Sequence, residues 1–141
     1  MSVDVKYRTR SQAVGGRDGT ARSLDSNFAV TMSTPKEIGG SGAPGVNPEQ
    51  LFATGYAACF LGALKVAAAQ AKVRLPAETT ITAEVGIGPH AAGGFGLTVA
   101  LQVAAPGIER AQAQALMDAA HQICPYSNAT RGNIDVAISV A

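Results

Sequence analysis

The stretch Asn47–Lys72, NPEQLFATGYAACFLGALKVAAAQAK, constrains the fold more than any other part of the chain. It predicts one long helix. Asn47 suits the N-cap, Pro48 suits the first helical position, and Gln50 at N3 is placed to reach back to the cap. Beyond the first turn the helix is apolar on every side, through Leu51, Phe52, Tyr56, Phe60, Leu61, Leu64 and Val66. A helix of that pattern is expected to be buried. Its uncharged run, Gln50 to Leu64, is shorter than the ~20 residues that span a bilayer, which predicts a core helix and no membrane span. Gly55, Ala58, Cys59, Gly62 and Ala63 form a stripe of small side chains on one face, where a second backbone could approach closely.

The rest of the chain fits a protein built around such a helix. With 141 residues, a single domain over 1–141 is expected, long enough for a proper core. Apolar residues make up 47% and charged ones 15%, which excludes a disordered chain. A net charge of +1 gives no electrostatic case for nucleic acid or a membrane surface as partner. The polar, alternating start MSVDVKYRTR lacks the apolar core of a signal peptide, so a cytoplasmic location is expected. There a structural disulfide is not expected, and Cys59 and Cys124 suggest redox work, metal or simple burial.

In order, Val3 to Thr9 alternates as a strand, and Gly15-Gly16-Arg17-Asp18-Gly19 reads as a turn ending in a hairpin signal. Thr20 to Ser23 and Phe28 to Ser33 read as strands, joined through Asp25-Ser26-Asn27. Pro35 to Val46 is glycine-rich and reads as a flexible connector, or as a rim beside the helix start. After the helix, Thr79 to Gly88 and Gly96 to Ala105 predict a hairpin turning at Pro89 to Gly94. A second helix is predicted from about Ile108 to Ile123 by its apolar spacing. Cys124-Pro125 then opens a polar connector with room for one helical turn, and Asp135 to Val140 closes as a strand. The order β-β-β-α-β-β-α-β implies an α+β fold, with sheets wrapped around one or two long helices.

Four residues stand out as chemistry. Buried cysteine is a common small apolar filler, and that stands beside a redox role for Cys59 and Cys124. If the two helices pack, the two thiols could meet as a redox couple. Arg17 is by default a solvated turn residue, but a reactive cysteine needs a cation to lower its pKa, and arginine does so without competing for the proton. Glu49 at N2 interacts with the helix dipole, which is reason enough for it, or holds an arginine fork bidentately. His121 and Cys124 could join Cys59 as metal ligands, but three donors without a paired CxxC make a weak metal motif. A Cys59–His121 nucleophile–base pair has no local motif behind it, and His90 reads as a solvated turn residue. The glycines at 86, 88, 93, 94 and 96 lack the strand-to-helix context of a dinucleotide site.

The segments GGRDG (15–19), NPEQLFATGYAACFLGAL (47–64), GGFGL (93–97) and HQICPYSNATRGNI (121–134) closely resemble the organic hydroperoxide resistance family, a branch of the osmotically inducible, OsmC-like proteins. The resemblance runs through nearly the whole chain in the expected order. It implies antiparallel sheets around two long helices and an intertwined homodimer. It also implies a thiol peroxidase with no metal, flavin or other cofactor. By the resemblance, Cys59 attacks the peroxide, Cys124 resolves the product, Arg17 activates the thiolate and Glu49 orients Arg17. The substrates implied are organic hydroperoxides, and the reductant is dihydrolipoamide or a lipoylated protein. Phe60, Phe95 and Ile38 are expected, from residue type, to line a pocket for an alkyl tail. A peroxide sensor, or an OsmC-branch stress protein without efficient turnover, is the alternative.

Spacing adds one expectation. Glu49 and Cys59 are ten positions apart, or ~15 Å along a continuous helix. A helix break near Gly55, or an active site shared between two subunits, would bring both to one arginine. The small-residue stripe favours the shared site.

Overall fold

The computed structural model describes residues 2–141. They fall into two compact units, the first ending at Leu51 and the second running from Phe52 to Ala141.

The first unit carries an antiparallel three-stranded sheet, β1 (Ser11–Val14), β2 (Thr20–Ser23) and β3 (Ala29–Thr31), in the order β1-β2-β3. A 3-10 turn over Gly16–Asp18 joins β1 to β2, with Ser11 opposite Ser23 and Val14 opposite Thr20. The strand expected over Val3 to Thr9 does not form, and the ladder begins at Ser11. Alternation specifies the face a strand would present but supplies no partner, and Val3, Val5 and Tyr7 are exposed. Pro35 to Val46 is largely irregular, with a 3-10 turn at Lys36–Ile38 and one parallel bridge from Met32 to Val46. Met32 is the single buried apolar side chain of this unit among the described residues.

The helix α1 (Pro48–Gln70) begins as its capping box dictates. Asn47 N–H donates to Gln50 Oε1 at 3.0 Å, and Gln50 N–H donates to Asn47 Oδ1 at 2.9 Å. The helix runs unbroken through Gly55, so the break considered there does not occur.

In the second unit, β4 (Thr80–Pro89) and β5 (Phe95–Ala104) form a long antiparallel hairpin, from Thr80 opposite Ala104 to Pro89 opposite Phe95. The helices α2 (Arg110–Ile123) and α3 (Pro125–Thr130) follow, and β6 (Val136–Val140) pairs with β5 in parallel. Antiparallel sheets were expected, and every other strand pair among the described residues is antiparallel; only β5–β6 differs. The α2–α3 segment is a crossover of the length a parallel connection requires, and it returns the chain to the same end of the sheet. The core gathers Tyr56, Phe60, Leu64 and Ala67 of α1, Val99, Leu101 and Val103 of β5, and Leu116, Met117 and Ala120 of α2. The β5 residues alternate and the helical ones recur every three or four positions, as their elements require.

By length and composition α1 is able to cross a membrane, with a mean hydropathy of 1.5 over its apolar window. Its Tyr56, Phe60 and Leu64 lie in the core against β5 and α2, which is the placement of a core helix. Burial is one-sided, however, in contrast to the expectation from its all-round apolarity. Ala58, Gly62 and Val66 remain exposed, because a single chain supplies cover for only one face.

Candidate active site

Two groups of the expected residues come together, one in each unit. In the first, the 3-10 turn presents Arg17 to the opening turn of α1. Gly15 and Gly16 take left-handed φ values of 77° and 62°, which most other residues adopt only with strain. A Cβ on Gly19 would stand 1.7 Å from the Val14 carbonyl oxygen, so glycine is required there for the turn to close. The Asp18 carboxylate accepts from Thr34 N–H at 3.0 Å and ties the turn to the following loop. Arg17 Nη1 donates to Glu49 Oε2 at 3.0 Å, and Nη2 donates to Oε1 at 2.6 Å. This is a bidentate fork, the strongest geometry available to the pair. The hydrogen bonds from Arg17 hold the Glu49 carboxyl below its ordinary range against the opposing effect of burial. Reciprocally, Glu49 raises the Arg17 pKa.

In the second unit, Cys59 on α1 and Cys124 at the α2–α3 junction are both free thiols. Their sulfurs lie 3.5 Å apart. Closing to a disulfide length of about 2.05 Å needs only a small side-chain movement. Cys59 is half-buried and Cys124 is fully buried. Burial pushes the Cys59 thiol above its ordinary pKa, the Tyr126 backbone N–H pulls it down, and Cys124 adds to the rise. The junction arises from Cys124-Pro125. Cys124 caps the end of α2, its N–H donating to Ala120 O at 2.9 Å, and is also the N-cap residue of α3. Proline at the first position then begins a helix, so the helical turn expected in this connector forms as α3. Gly55 makes room for Tyr126, whose hydroxyl oxygen would lie 3.0 Å from a Cβ at that position.

The three pocket candidates separate. Phe60 is fully buried, with its ring against Tyr56 and His121, and is core, not pocket lining. Its position on the inward face of α1 forces this. Phe95 is 76% exposed at the start of β5, beside a cavity of about 550 Å³ that His90, Leu97, Asn133 and Asp135 also line. Ile38 sits half-buried in the 3-10 turn of the first unit.

Sequence reasoning missed a buried polar cluster behind the cysteines. Tyr56 Oη lies 2.9 Å from Ser127 Oγ and 3.2 Å from Thr130 Oγ1, and His121 Nδ1 lies 2.8 Å from Ser127 Oγ. The available signal was spacing, since Tyr56, His121 and Ser127 each stand three residues from a cysteine.

An OsmC-like protein family model matches residues 39–139. The chain is 56% identical over 137 residues to the organic hydroperoxide resistance protein of Xanthomonas axonopodis pv. citri, covering 97% of this chain and 96% of that protein. The fold is similar to an organic hydroperoxide resistance protein from Legionella pneumophila, with a TM-score of 0.91 at 42% identity, over 98% of this chain and 99% of that one. It is equally similar to one from Elizabethkingia anophelis, with a TM-score of 0.91 at 45% identity and 99% of both chains covered. The chain belongs to the OsmC-like family, within its organic hydroperoxide resistance branch.

Proposed function

We propose that the protein is a cysteine-based thiol peroxidase that reduces organic hydroperoxides to alcohols and so confers resistance to them. The observation that carries this is the pair of free thiols 3.5 Å apart, one partly open and one sealed. The half-buried Cys59 is the sulfur a substrate can reach. Its thiolate attacks the hydroxyl oxygen of the peroxide, the O–O bond breaks, the alkoxide leaves and takes a proton from water to become the alcohol, and Cys59 becomes a sulfenic acid. Cys124 then displaces water to form the disulfide, which a dithiol reduces by exchange. The fully buried Cys124 is protected from direct attack by peroxide, which suits a resolving role.

In this proposal Arg17 supplies the positive charge that Cys59 needs. Burial, with Cys124 adding to it, raises the thiol pKa, so a thiolate at neutral pH requires a compensating cation. Glu49 fixes the guanidinium through the bidentate fork. With α1 unbroken, we assign each complete site to both subunits of a homodimer. The exposed Ala58–Gly62–Val66 face of α1 and the sparse core of the first unit are what a second copy would cover. Ile38 and Phe95 are assigned to the alkyl-tail pocket, and dihydrolipoamide or a lipoylated protein is the reductant. The cytoplasm, where free thiols stay reduced, is the assigned location.

Steady-state consumption of an alkyl hydroperoxide with dihydrolipoamide tests this. Many turnovers per subunit are expected, and none for Cys59→Ser. A single turnover would instead indicate a sensor, and full activity in Cys59→Ser would refute the assignment.

A further inference from the structure

The polar cluster joins α1, α2 and α3 through side chains set against the apolar core. Tyr56 and Ser127 are completely buried and Thr130 nearly so. No buried side-chain nitrogen or oxygen among the described residues lacks a partner, so each buried hydroxyl of the cluster is hydrogen-bonded. A buried hydrogen-bonded network favours one arrangement of the elements it joins.

Counting hydrogens fixes its direction. Thr130 Oγ1 donates its only hydrogen to the Ser127 carbonyl oxygen at 3.1 Å. Thr130 therefore accepts from Tyr56 Oη, whose hydrogen is then used. Tyr56 in turn accepts from Ser127 Oγ, which leaves Ser127 with no hydrogen for His121. Hence His121 donates from Nδ1 to Ser127 Oγ. The order is His121 Nδ1–H to Ser127, Ser127 to Tyr56, Tyr56 to Thr130, and Thr130 to the Ser127 carbonyl.

The members are placed by the cysteines. Tyr56 precedes Cys59 by one helical turn on α1. His121 precedes Cys124 by one turn on α2, and Ser127 follows it by one turn on α3. Ser127 thus ties the last turn of α2 and the first turn of α3 to the turn of α1 that leads into Cys59. We propose that Ser127, with Tyr56 and His121, positions the Cys124 corner within bonding reach of Cys59, and that the relay runs from His121 Nδ1–H. The proposal rests on the thiol-peroxidase reading for its kinetic consequence. In resolution the S–S bond forms as the S–O bond of the Cys59 sulfenic acid breaks. The Cys124 thiol proton leaves with the hydroxyl as water. No group of the relay reacts, so these are positioning residues.

Tyr56→Phe and Ser127→Ala test the proposal in the full-length protein. Tyr56→Phe keeps the ring packing and removes one hydroxyl, so it decides the matter if Ser127→Ala does not fold. The first readout is the Cys59–Cys124 dithiol–disulfide equilibrium in lipoamide–dihydrolipoamide buffers. It needs no peroxidase activity, so it stands even if the peroxidase reading fails. A shift toward the dithiol of roughly three- to tenfold is expected, the scale of one net hydrogen bond. The second readout is the fate of Cys59 under rising organic hydroperoxide. Sulfinic acid should increase at the expense of the disulfide by a similar factor, while the rate of first attack stays within about twofold. The third is the nitrogen NMR of neutral His121, with the proton expected on Nδ1. An unchanged equilibrium in a folded variant, attack and resolution falling together, or a proton found on Nε2 would each overturn the proposal.

Discussion

Replacing Glu49 by glutamine keeps the shape of the side chain and removes its charge. Glu49 presents two oxygens to Arg17, at 2.6 and 3.0 Å. In glutamine one of those oxygens becomes an NH₂ facing a guanidinium donor, so one bond of the fork is lost outright. Hydrogen bonds to charged groups contribute about 1.5–3 kcal/mol. Here the Arg17 side chain is 39% exposed and that of Glu49 is 12% exposed, so solvent screens the pair and the lower part of that range, or less, applies. A stability loss of about 1 kcal/mol is expected. The functional loss should be larger, because the guanidinium is no longer aimed. A fall in kcat/KM of about tenfold or more corresponds to about 1.4 kcal/mol of lost transition-state stabilisation. The pH dependence follows from the carboxyl. Its folded pKa is lowered, so the unfolded chain binds the extra proton. The stabilisation is therefore complete above the unfolded pKa, near 4.3 by ordinary values. It is lost as pH falls through the folded value. Thermal denaturation of wild type, Glu49→Gln, Arg17→Lys and the double variant, scanned from neutral to acid pH, measures this. Strict additivity of the two substitutions, with an acid limb the same in Glu49→Gln as in wild type, would refute the reasoning.

If Arg17 supplies the cation proposed for it, alkylation of Cys59 against pH should show a higher apparent pKa in Arg17→Ala than in wild type; superimposable profiles would remove Arg17 from that role. Mixing Arg17→Ala subunits with Cys59→Ser subunits should restore about half of wild-type activity in the heterodimer if sites are shared, since one site then keeps both residues. Sites built within a single subunit would leave that heterodimer inactive. Leu64, 1% exposed in the core of the second unit, should cost about 3 kcal/mol when truncated to alanine, read by chemical denaturation.

How much of this was legible in the sequence depended on how local the determinant was. The start of α1 was readable because its capping box, Asn47 and Gln50, is complete within four residues and forms as expected. The β4–β5 hairpin was readable from alternation around a turn. The start of α2 was placed two residues early, because Glu109 is the N-cap, its side chain accepting from the Ala111 and Gln112 N–H groups. The parallel β5–β6 pairing depends on contacts between distant segments, which periodicity does not encode. The one-sided burial of α1 was hidden for a related reason, since an all-apolar helix looks the same whether a second element or a second subunit covers it. At the site, Cys59, Cys124, Arg17 and Glu49 were each legible as candidates from the motifs that contain them, and the pairs Arg17 with Glu49 and Cys59 with Cys124 were expected; the distances needed the fold. The hydroxyls of Ser127 and Thr130 were unremarkable in sequence and gained significance only when Tyr56 was found between them.

Peptide mapping after a single equivalent of organic hydroperoxide tests the central claim most directly. One alcohol released and one disulfide joining Cys59 to Cys124 of the same chain are predicted, with Cys124→Ser still consuming one equivalent and trapping Cys59 as its sulfenic acid. Peroxide consumed with Cys59 unmodified, or with Cys124 oxidised first, would contradict the account.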